Sequence, residues 1–310
     1  MIEHEIVVSA KNAELSGTLS LPEKEGMFPV VLMVHGSGEL DRDENAGRQK
    51  LNVFNTIAHD LSKNGVASFR YDKRGVGKST GDFYAVGHFD LVEDAMYCLK
   101  FLAEHESFDK NAIFLLGHSE GTLIIPQLSQ RHIPIAGMIM LAPFIDHVES
   151  IMMKQAQSMK EAAAILTGIK NIPVKCFFKL IDPVKAQTRL IKKIKQSSKN
   201  TVYSMFQKIP AKWAREIMSI APVDVYRKIT CPSLIIGGSK DIQCDPSDVE
   251  TIKQILSGDV ETHVIQDMSH ILRLEKGEPS VFRYPELMKQ PVEPLVLKTI
   301  EHWMAKKTSR

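Results

Sequence analysis

The sequence AIFLLGHSEGTLIIPQL, residues 112–128, decides the fold of this chain. An apolar run typical of a buried strand leads into Gly117-His118-Ser119-Glu120-Gly121, and an apolar helical pattern follows at once. A G-x-S-x-G motif between a strand and a helix is typical of a sharp turn that projects the serine hydroxyl from the sheet. A Cβ at either flanking glycine would collide with the neighbouring strand and helix. Ser119 is therefore the candidate nucleophile, and an ordinary glycine-rich turn is the alternative.

A serine nucleophile needs a base, and the base needs a carboxylate that orients it. Asp241 follows the apolar run PSLIIGG, and His270 follows THVIQ, so both come just after predicted strands. The order serine, acid, histidine is the one that this strand-turn-helix arrangement requires. Asp245 is the rival acid, and His263 is the rival base inside its strand. Asp267 is read as an exposed turn acid.

Backbone N–H groups must also stabilise the oxyanion of an acyl-transfer reaction. The motif His35-Gly36-Ser37-Gly38 ends the early apolar run PVVLMV, where one such donor is expected. We expect Ser37 to supply it, with Gly38 as the alternative, and Glu120 to supply the second donor. His35 and His118 are read as structural residues. The oxyanion hole is thus predicted from Ser37 and Glu120.

Short apolar runs alternate with helical patterns along the chain. The predicted strands are 29–36, 66–72, 112–119, 136–143, 232–239 and 262–270, and the predicted helices are 50–64, 88–105, 120–131 and 291–306. Continuous apolar strands alternating with helices indicate an α/β fold with a doubly wound, mostly parallel sheet that is covered on both faces. The opening segment predicts an antiparallel hairpin at the sheet edge. Gly65 is expected to cap the first helix.

Residues 146–225 interrupt this alternation, with helical composition and no convincing strand. We therefore predict an α/β core of residues 1–145 and 226–310, with residues 146–225 as an inserted helical cap. The insert has 14 Lys and Arg against 6 Asp and Glu, a net charge of +8. That charge favours anionic substrates or an anionic lipid surface, or it belongs to solvated helix faces. We expect the apolar residues of the insert either to line an acyl pocket or to form the cap's own core. They are Met152, Met153, Ile165, Leu166, Phe177, Phe178, Phe206 and Trp213.

The composition of the chain excludes several classes of protein. With 44% hydrophobic and 25% charged residues among 310, it reads as globular, and a net charge of +2 gives no sign of nucleic-acid binding. No signal peptide and no apolar run long enough for membrane insertion is found, and the four scattered cysteines suggest a reducing compartment, so cytoplasmic localisation is expected. The segment GVGKST lacks the spacing of a phosphate-binding loop, because Asp72 stands where that loop needs glycine.

The motifs HGSG, RYDKRGVGKS, GHSEG, GGSKD and MSHIL resemble those of the α/β-hydrolase superfamily. More narrowly, the chain resembles bacterial carboxylesterases of the EstD type, which are grouped with serine-aminopeptidase-like hydrolases. This resemblance covers nearly the whole chain and implies the α/β-hydrolase fold, with Ser119, Asp241 and His270 as catalytic triad. It further implies a carboxylesterase for short to medium acyl esters that needs no metal or cofactor.

Other functions remain open at this point. The same triad serves peptidases, which would need a carboxylate for a substrate's amino terminus, and it serves lysophospholipase-like enzymes. A third alternative is a ligand-binding protein on a hydrolase fold. The expected partner is a small-molecule ester, and a homodimer is compatible with the sequence.

Overall fold

A computed structural model describes residues 1–23, 25–131, 133–165, 178, 180–205 and 207–308. One eight-stranded sheet, with strand order β1-β2-β4-β3-β5-β6-β9-β10, forms its centre. The strands are β1 (Ile2–Ala10), β2 (Ala13–Leu21), β3 (Phe28–Val34), β4 (Ala67–Tyr71), β5 (Phe108–His118), β6 (Gly137–Leu141), β7 (Thr201–Ser204), β8 (Gln207–Pro210), β9 (Ser233–Gly238) and β10 (Val260–Ile265). Within this sheet, β2 pairs antiparallel with β1 and β4, and the other pairs are parallel. The doubly wound, mostly parallel sheet and the antiparallel hairpin at its edge are confirmed.

Helices cover both faces of the sheet. They are α1 (Val53–Lys63), α2 (His88–Glu104), α3 (Gly121–Leu128), α4 (Val148–Ile165), α5 (Pro183–Gln196), α6 (Ala211–Met218), α7 (Pro222–Tyr226), α8 (Asp248–Ile255), α9 (Tyr284–Leu287) and α10 (Pro294–Thr308), with 3₁₀ turns at Phe83–Ala85 and Val281–Arg283. One apolar cluster joins the sheet to α2, α3 and α8, and a second joins it to α1 and α10. Asn64 is the C-cap residue of α1, and Gly65 follows it in the left-handed conformation, with φ 76°, that ends many helices.

In the described residues, the chain between β6 and β9 carries four helices and a short hairpin, and Val148, Ile217 and Tyr226 from this segment pack into the main core cluster. It contains α4, α5, α6 and α7, and a small apolar cluster centred on Ile194, Val202 and Ala214 joins several of them. The prediction that this insert has no strand was wrong, because β7 and β8 pair as an antiparallel hairpin. Each strand has only four residues, which is too short for an alternating pattern to stand out in the sequence. The boundaries at 145/146 and 225/226 stay a prediction.

Candidate active site

Ser119 lies at the turn between β5 and α3, as the motif predicted. Its φ is 52°, in the left-handed region that non-glycine residues rarely adopt. A Cβ on Gly117 would lie 2.5 Å from the backbone of Gly121, and a Cβ on Gly121 would lie 2.0 Å from the Val34 carbonyl oxygen. Both glycines are therefore required by the close approach of strand and helix, and the strained turn presents Ser119 above the sheet.

Asp241 and His270 meet above the carboxyl ends of β9 and β10. The His270 Nδ1 lies 2.8 Å from Oδ2 of Asp241, and both side chains are buried. The other carboxylate oxygen, Oδ1, accepts the backbone N–H groups of Gln243 at 2.8 Å and Cys244 at 2.9 Å. The carboxylate is thus held from both sides, so it can orient the imidazole and support its positive charge.

The two rivals for these positions lie elsewhere. Asp245 accepts hydrogen bonds from the backbone and hydroxyl of Ser247, whereas His263 pairs with Glu261 on β10. Asp267 is in an exposed turn, where it pairs with Lys240. Among the alternatives that the sequence left open, the structure brings only Asp241 to His270.

Ser119 and His270 line the same cavity, which has a volume of about 290 Å³. In the part of the chain that the structure describes, no hydrogen bond joins the Ser119 hydroxyl to the His270 ring. Such bonds are commonly long in the absence of substrate and shorten in the complex. Met152 and Trp213, two of the predicted acyl-pocket residues, also line this cavity. Leu166, Phe177 and Phe206 lie outside the described residues.

The expected oxyanion donors come from two loops that approach Ser119. A Cβ on Gly36 would lie 3.2 Å from the Ser119 Cβ, so the Gly36-Ser37 segment lies directly against the nucleophile. Among the described residues, the amides of Ser37 and Glu120 donate no hydrogen bond, which leaves both available to an oxyanion. Gly38, the alternative donor, has φ 104°, and among the described residues its amide donates no hydrogen bond either.

Sequence reasoning did not anticipate the role of the Glu120 side chain. The carboxylate is 1% exposed, and it accepts hydrogen bonds from Trp213 Nε1 at 2.6 Å and His88 Nδ1 at 2.9 Å. The Lys73 ammonium lies 3.6 Å from its second oxygen. Burial disfavours ionisation, but Lys73, His88 and Trp213 outweigh it and lower the pKa of Glu120 to about 2. A buried negative charge therefore lies next to the nucleophile, held by partners from three separate segments.

A second buried pair, Glu44 and His118, lies under the base. The His118 Nδ1 is 2.9 Å from a Glu44 carboxylate oxygen, and its Nε2 is 3.0 Å from the His270 carbonyl oxygen. Because a carbonyl oxygen only accepts, the His118 Nε2–H donates to His270, and an Nδ1–H can donate to the Glu44 carboxylate. Burial lowers the pKa of His118, but the Glu44 carboxylate outweighs burial, so the net shift is upward. His118, which the sequence marked as structural, thus connects the serine turn to the base.

The loop that carries Glu44 is fixed by another buried ion pair. Arg42 donates to both carboxylate oxygens of Asp72, through Nε at 3.0 Å and Nη2 at 2.8 Å. The Lys78 amide donates to the same carboxylate at 2.9 Å, so the GVGKST turn folds around Asp72. The sequence shows a charged loop at residues 40–44 and the RYDKRG motif, but it does not show that Arg42 of the loop pairs with Asp72 of the motif.

Three potential metal ligands also lie together, namely Asp241, Cys244 and His270, whose ligand atoms fall within 4.8 Å of one another. Burial, with Asp241 and Asp248 adding to it, raises the pKa of the Cys244 thiol. The carboxylate of Asp241 already bonds the His270 ring through one oxygen and two backbone N–H groups through the other, so these two residues are satisfied without an ion. This group fits an acid–base pair with a buried thiol beside it.

Comparison with known families gives one match that covers most of the chain. Residues 29–277 match the family described as "Serine aminopeptidase, S33". A curated relative, Esterase EstD of Thermotoga maritima, is 28% identical over 294 residues. The aligned region is 94% of this chain and 66% of the relative, so the chain spans just under two thirds of that protein's length.

Solved structures share the fold. Est1E from Butyrivibrio proteoclasticus, a structure with ferulic acid bound, has a TM-score of 0.65 and 18% identity, covering 98% of this chain and 100% of that one. The Pyrococcus furiosus esterase Pf2001 has a TM-score of 0.63 and 16% identity, covering 99% and 91% of the two chains. The α/β-hydrolase fold implied by the sequence motifs is confirmed.

Proposed function

The chain belongs to the serine aminopeptidase S33 family of α/β hydrolases, and from this premise we propose that it hydrolyses carboxylic esters through an acyl-enzyme on Ser119. The observation that carries the proposal is the strained Ser119 turn, which shares one cavity with the hydrogen-bonded pair His270 and Asp241. The similarity to Esterase EstD supports an ester rather than another acyl substrate.

In the proposed mechanism, His270 takes the Ser119 proton as the hydroxyl oxygen attacks the ester carbonyl carbon. The resulting oxyanion accepts hydrogen bonds from the Ser37 and Glu120 amides. His270 then gives its proton to the departing alcohol oxygen as the carbon–oxygen bond breaks. In the second step His270 takes a proton from water as it attacks the acyl carbon, and it returns that proton to the Ser119 oxygen as the carboxylic acid is released. Asp241 stabilises the imidazolium in both steps.

We propose short to medium acyl chains as substrates, because the cavity beside Ser119 is small. Its volume of about 290 Å³ lies at the lower end of the usual range for small-molecule sites. Leu40, Ile151, Met152, Trp213 and Ile217 give it a largely apolar wall. An uncharged acyl chain suits such a lining.

The test is hydrolysis of p-nitrophenyl esters from acetate to palmitate by the wild-type protein and Ser119→Ala. We expect the substitution to lower kcat by about 10⁶, as when an interdependent catalytic residue is removed. The optimum should lie at short or medium chains. Equal turnover by Ser119→Ala would contradict the proposal, and an optimum at palmitate would favour a lysophospholipase-like activity.

An aminopeptidase is the second candidate, and one feature of the cavity wall favours it. A neighbouring cavity shares Phe144, Ile151, Gln243 and Cys244 with the active site. Its wall carries the carboxylates of Asp146, Asp245 and Asp248, besides Lys154. An aminopeptidase needs a carboxylate near the acyl site to bind the positively charged amino terminus of its substrate. Faster cleavage of aminoacyl anilides than of their N-acetylated forms or of simple esters would support this candidate.

No described helix is long and apolar enough to cross a membrane. We propose a small-molecule ester as the partner and the cytoplasm as the location. The thiols of Cys98, Cys231 and Cys244 are free, which is compatible with a reducing compartment, while Cys176 lies outside the described residues. The molar mass in solution tests the homodimer that the sequence left open.

A further inference from the structure

Lys73 lies between the two loops that carry the proposed oxyanion donors. It follows β4, its side chain is 2% exposed, and its ammonium donates to the Gly36 carbonyl oxygen at 2.5 Å. A buried ammonium is costly unless hydrogen bonds and an opposite charge compensate it. Gly36 and Glu120 together meet that requirement, and both are next to residues of the proposed oxyanion hole.

The contact with Gly36 bears directly on Ser37. The Gly36 carbonyl and the Ser37 N–H belong to one planar trans peptide unit, in which the two groups point in opposite directions. A side chain that fixes the direction of the carbonyl oxygen therefore also fixes the direction of the N–H. Lys73 thereby fixes the direction of the Ser37 N–H through the Gly36 carbonyl, with no hydrogen bond to Ser37 itself.

The peptide unit before Gly36 is held as well. The Gly36 N–H donates to a Glu44 carboxylate oxygen at 3.0 Å, and this carboxylate is itself paired with His118. Both peptide units of Gly36 thus have partners from distant parts of the chain. Rotating the Gly36 carbonyl away would break the hydrogen bond to Lys73, and moving the preceding peptide unit would break the one to Glu44.

The second donor is connected to the same lysine. The Lys73 ammonium lies 3.6 Å from a carboxylate oxygen of Glu120, whose backbone N–H is the other proposed donor. On its far side, the Glu120 carboxylate is held by His88 and Trp213. One ammonium group therefore connects the Ser37 loop to the residue after the nucleophile.

We propose that Lys73 is a positioning residue that sets the oxyanion hole by holding the Gly36–Ser37 peptide in place. This inference rests on the ester hydrolysis proposed above. Oxyanion stabilisation depends on donors that point at the developing charge before the reaction begins. The alternative is that Lys73 only neutralises the buried Glu120 carboxylate, and the two accounts predict different results when Glu120 is neutral.

The experiment compares Glu120→Gln with the double variant Glu120→Gln, Lys73→Met. Gln keeps the backbone donor and removes the buried charge, so the double variant leaves no carboxylate unpaired. We expect kcat of the double variant to fall below that of Glu120→Gln by about 10²-fold, the usual cost of one oxyanion donor, with KM changed less than about threefold. Lys307→Met removes a lysine on α10 that pairs with Asp259, and this control should retain wild-type kcat.

A second readout separates positioning from general damage. A thiono ester places sulfur, a weak hydrogen-bond acceptor, where the oxygen ester places its oxyanion. If Lys73 acts through the Ser37 N–H, the added Lys73→Met change should slow the oxygen ester far more than the thiono ester. The kcat/KM for the oxygen ester divided by that for the thiono ester should therefore be about tenfold or more lower in the double variant than in Glu120→Gln.

Equal kcat in the single and double variants would overturn the inference about Lys73 without contradicting the proposed esterase activity. An equal decrease of kcat/KM on the oxygen and thiono esters would do the same. If no ester is hydrolysed, the rate of fluorophosphonate labelling at Ser119 replaces turnover, because the phosphoryl oxygen needs the same donors. Slower labelling of the double variant would then support the positioning role, and equal labelling would contradict it. A wild-type protein that neither turns over nor labels contradicts both proposals.

Discussion

His118 is buried beside the Glu44 carboxylate, whereas the sequence suggested only a structural residue inside a motif. Both of its ring nitrogens face acceptors, the Glu44 carboxylate and the His270 carbonyl oxygen. Burial raises the pKa of Glu44, but His118 outweighs burial, so the net shift is downward, while the net shift of His118 is upward. The pair is therefore ionised across a wider range of pH than either group would be alone.

This pair predicts a pH-dependent contribution to stability. The lowered pKa of Glu44 gives stability that is present above its ordinary value of 4.5 and is lost as pH falls through the folded value. The raised pKa of His118 gives stability that is present below 6.5 and is lost as pH rises through the folded value. The contribution is therefore largest between about pH 4.5 and 6.5.

Glu44→Gln should lower the free energy of unfolding by about 3 kcal/mol within this window, and by less at alkaline pH. Urea unfolding at a series of pH values measures this difference. The control is Glu261→Gln on β10, which breaks largely exposed ion pairs with His263 and Lys306 and should cost less than about 1 kcal/mol. A loss at Glu44 that is as small as the control's, or independent of pH, would contradict the prediction.

Among individual residues, the sequence predicted those that belong to motifs. It missed those whose role depends on a buried contact with a distant part of the chain. Ser119, Asp241 and His270 were chosen from strand ends, because chain order and strand position restrict those roles. Glu44 and Lys73 were not chosen, because a buried side chain's partner depends on packing between segments that are distant along the chain. Those pairings become visible only when the loops are placed in space.

At the scale of elements, α3 and β3 approach each other so closely at Gly121 that no side chain fits between them. A Cβ on Gly121 would lie 2.0 Å from the Val34 carbonyl oxygen, and a backbone atom cannot move aside as a flexible side chain can. Gly121→Ala should therefore force α3 away from the sheet and shift the Ser119 turn.

We expect Gly121→Ala to lower the free energy of unfolding by about 3 kcal/mol or more, or to prevent recovery of folded protein. Gly47→Ala serves as the control, because Gly47 has φ 56° but nothing within 4 Å of an added Cβ. That change should cost only the left-handed conformation, about 1 kcal/mol. Urea unfolding of both variants gives the comparison, and similar values for the two would argue against the close contact.

Most elements of the core were predictable, and the elements of the insert were not. Buried parallel strands are continuous apolar runs, so β3, β5 and β9 stood out within a few residues of their true ends. The hairpin β7–β8 has no comparable signal, since four-residue strands on a small cap show neither alternation nor a long apolar run. Its formation depends on packing against α5 and α6.

At the scale of the whole molecule, positive charge is concentrated in the insert. Residues 183–200 contain six cations and no acid, and all six side chains are exposed: Lys185, Arg189, Lys192, Lys193, Lys195 and Lys199. Leu180, Tyr203 and Met205, nearby in sequence, are 85%, 61% and 50% exposed. Cations beside exposed apolar groups suit an anionic lipid surface, one of the alternatives that the sequence left open.

Binding to vesicles distinguishes these alternatives. At low ionic strength we expect co-sedimentation with phosphatidylcholine–phosphatidylglycerol vesicles, no binding to phosphatidylcholine alone, and release at about 0.5 M salt. Lys185→Glu with Lys192→Glu should weaken binding, whereas Lys50→Glu with Lys253→Glu, which makes the same charge change on the core, should not. Equal weakening by the two pairs of substitutions would show that binding depends on net charge rather than on this surface. If the protein does not bind vesicles at all, the cations only solvate the helix faces.

The position of Trp213 gives the protein an optical reporter of its own active site. The chain has two tryptophans, and Trp303 is buried against Phe114 on the opposite face of the sheet. Trp213 lines the active-site cavity and donates to the Glu120 carboxylate. Because indole emission responds to the polarity around the ring, occupation of the cavity should change the intrinsic fluorescence of Trp213 and leave that of Trp303 as a constant background. Binding and acylation can therefore be followed in stopped-flow mixing without any attached dye.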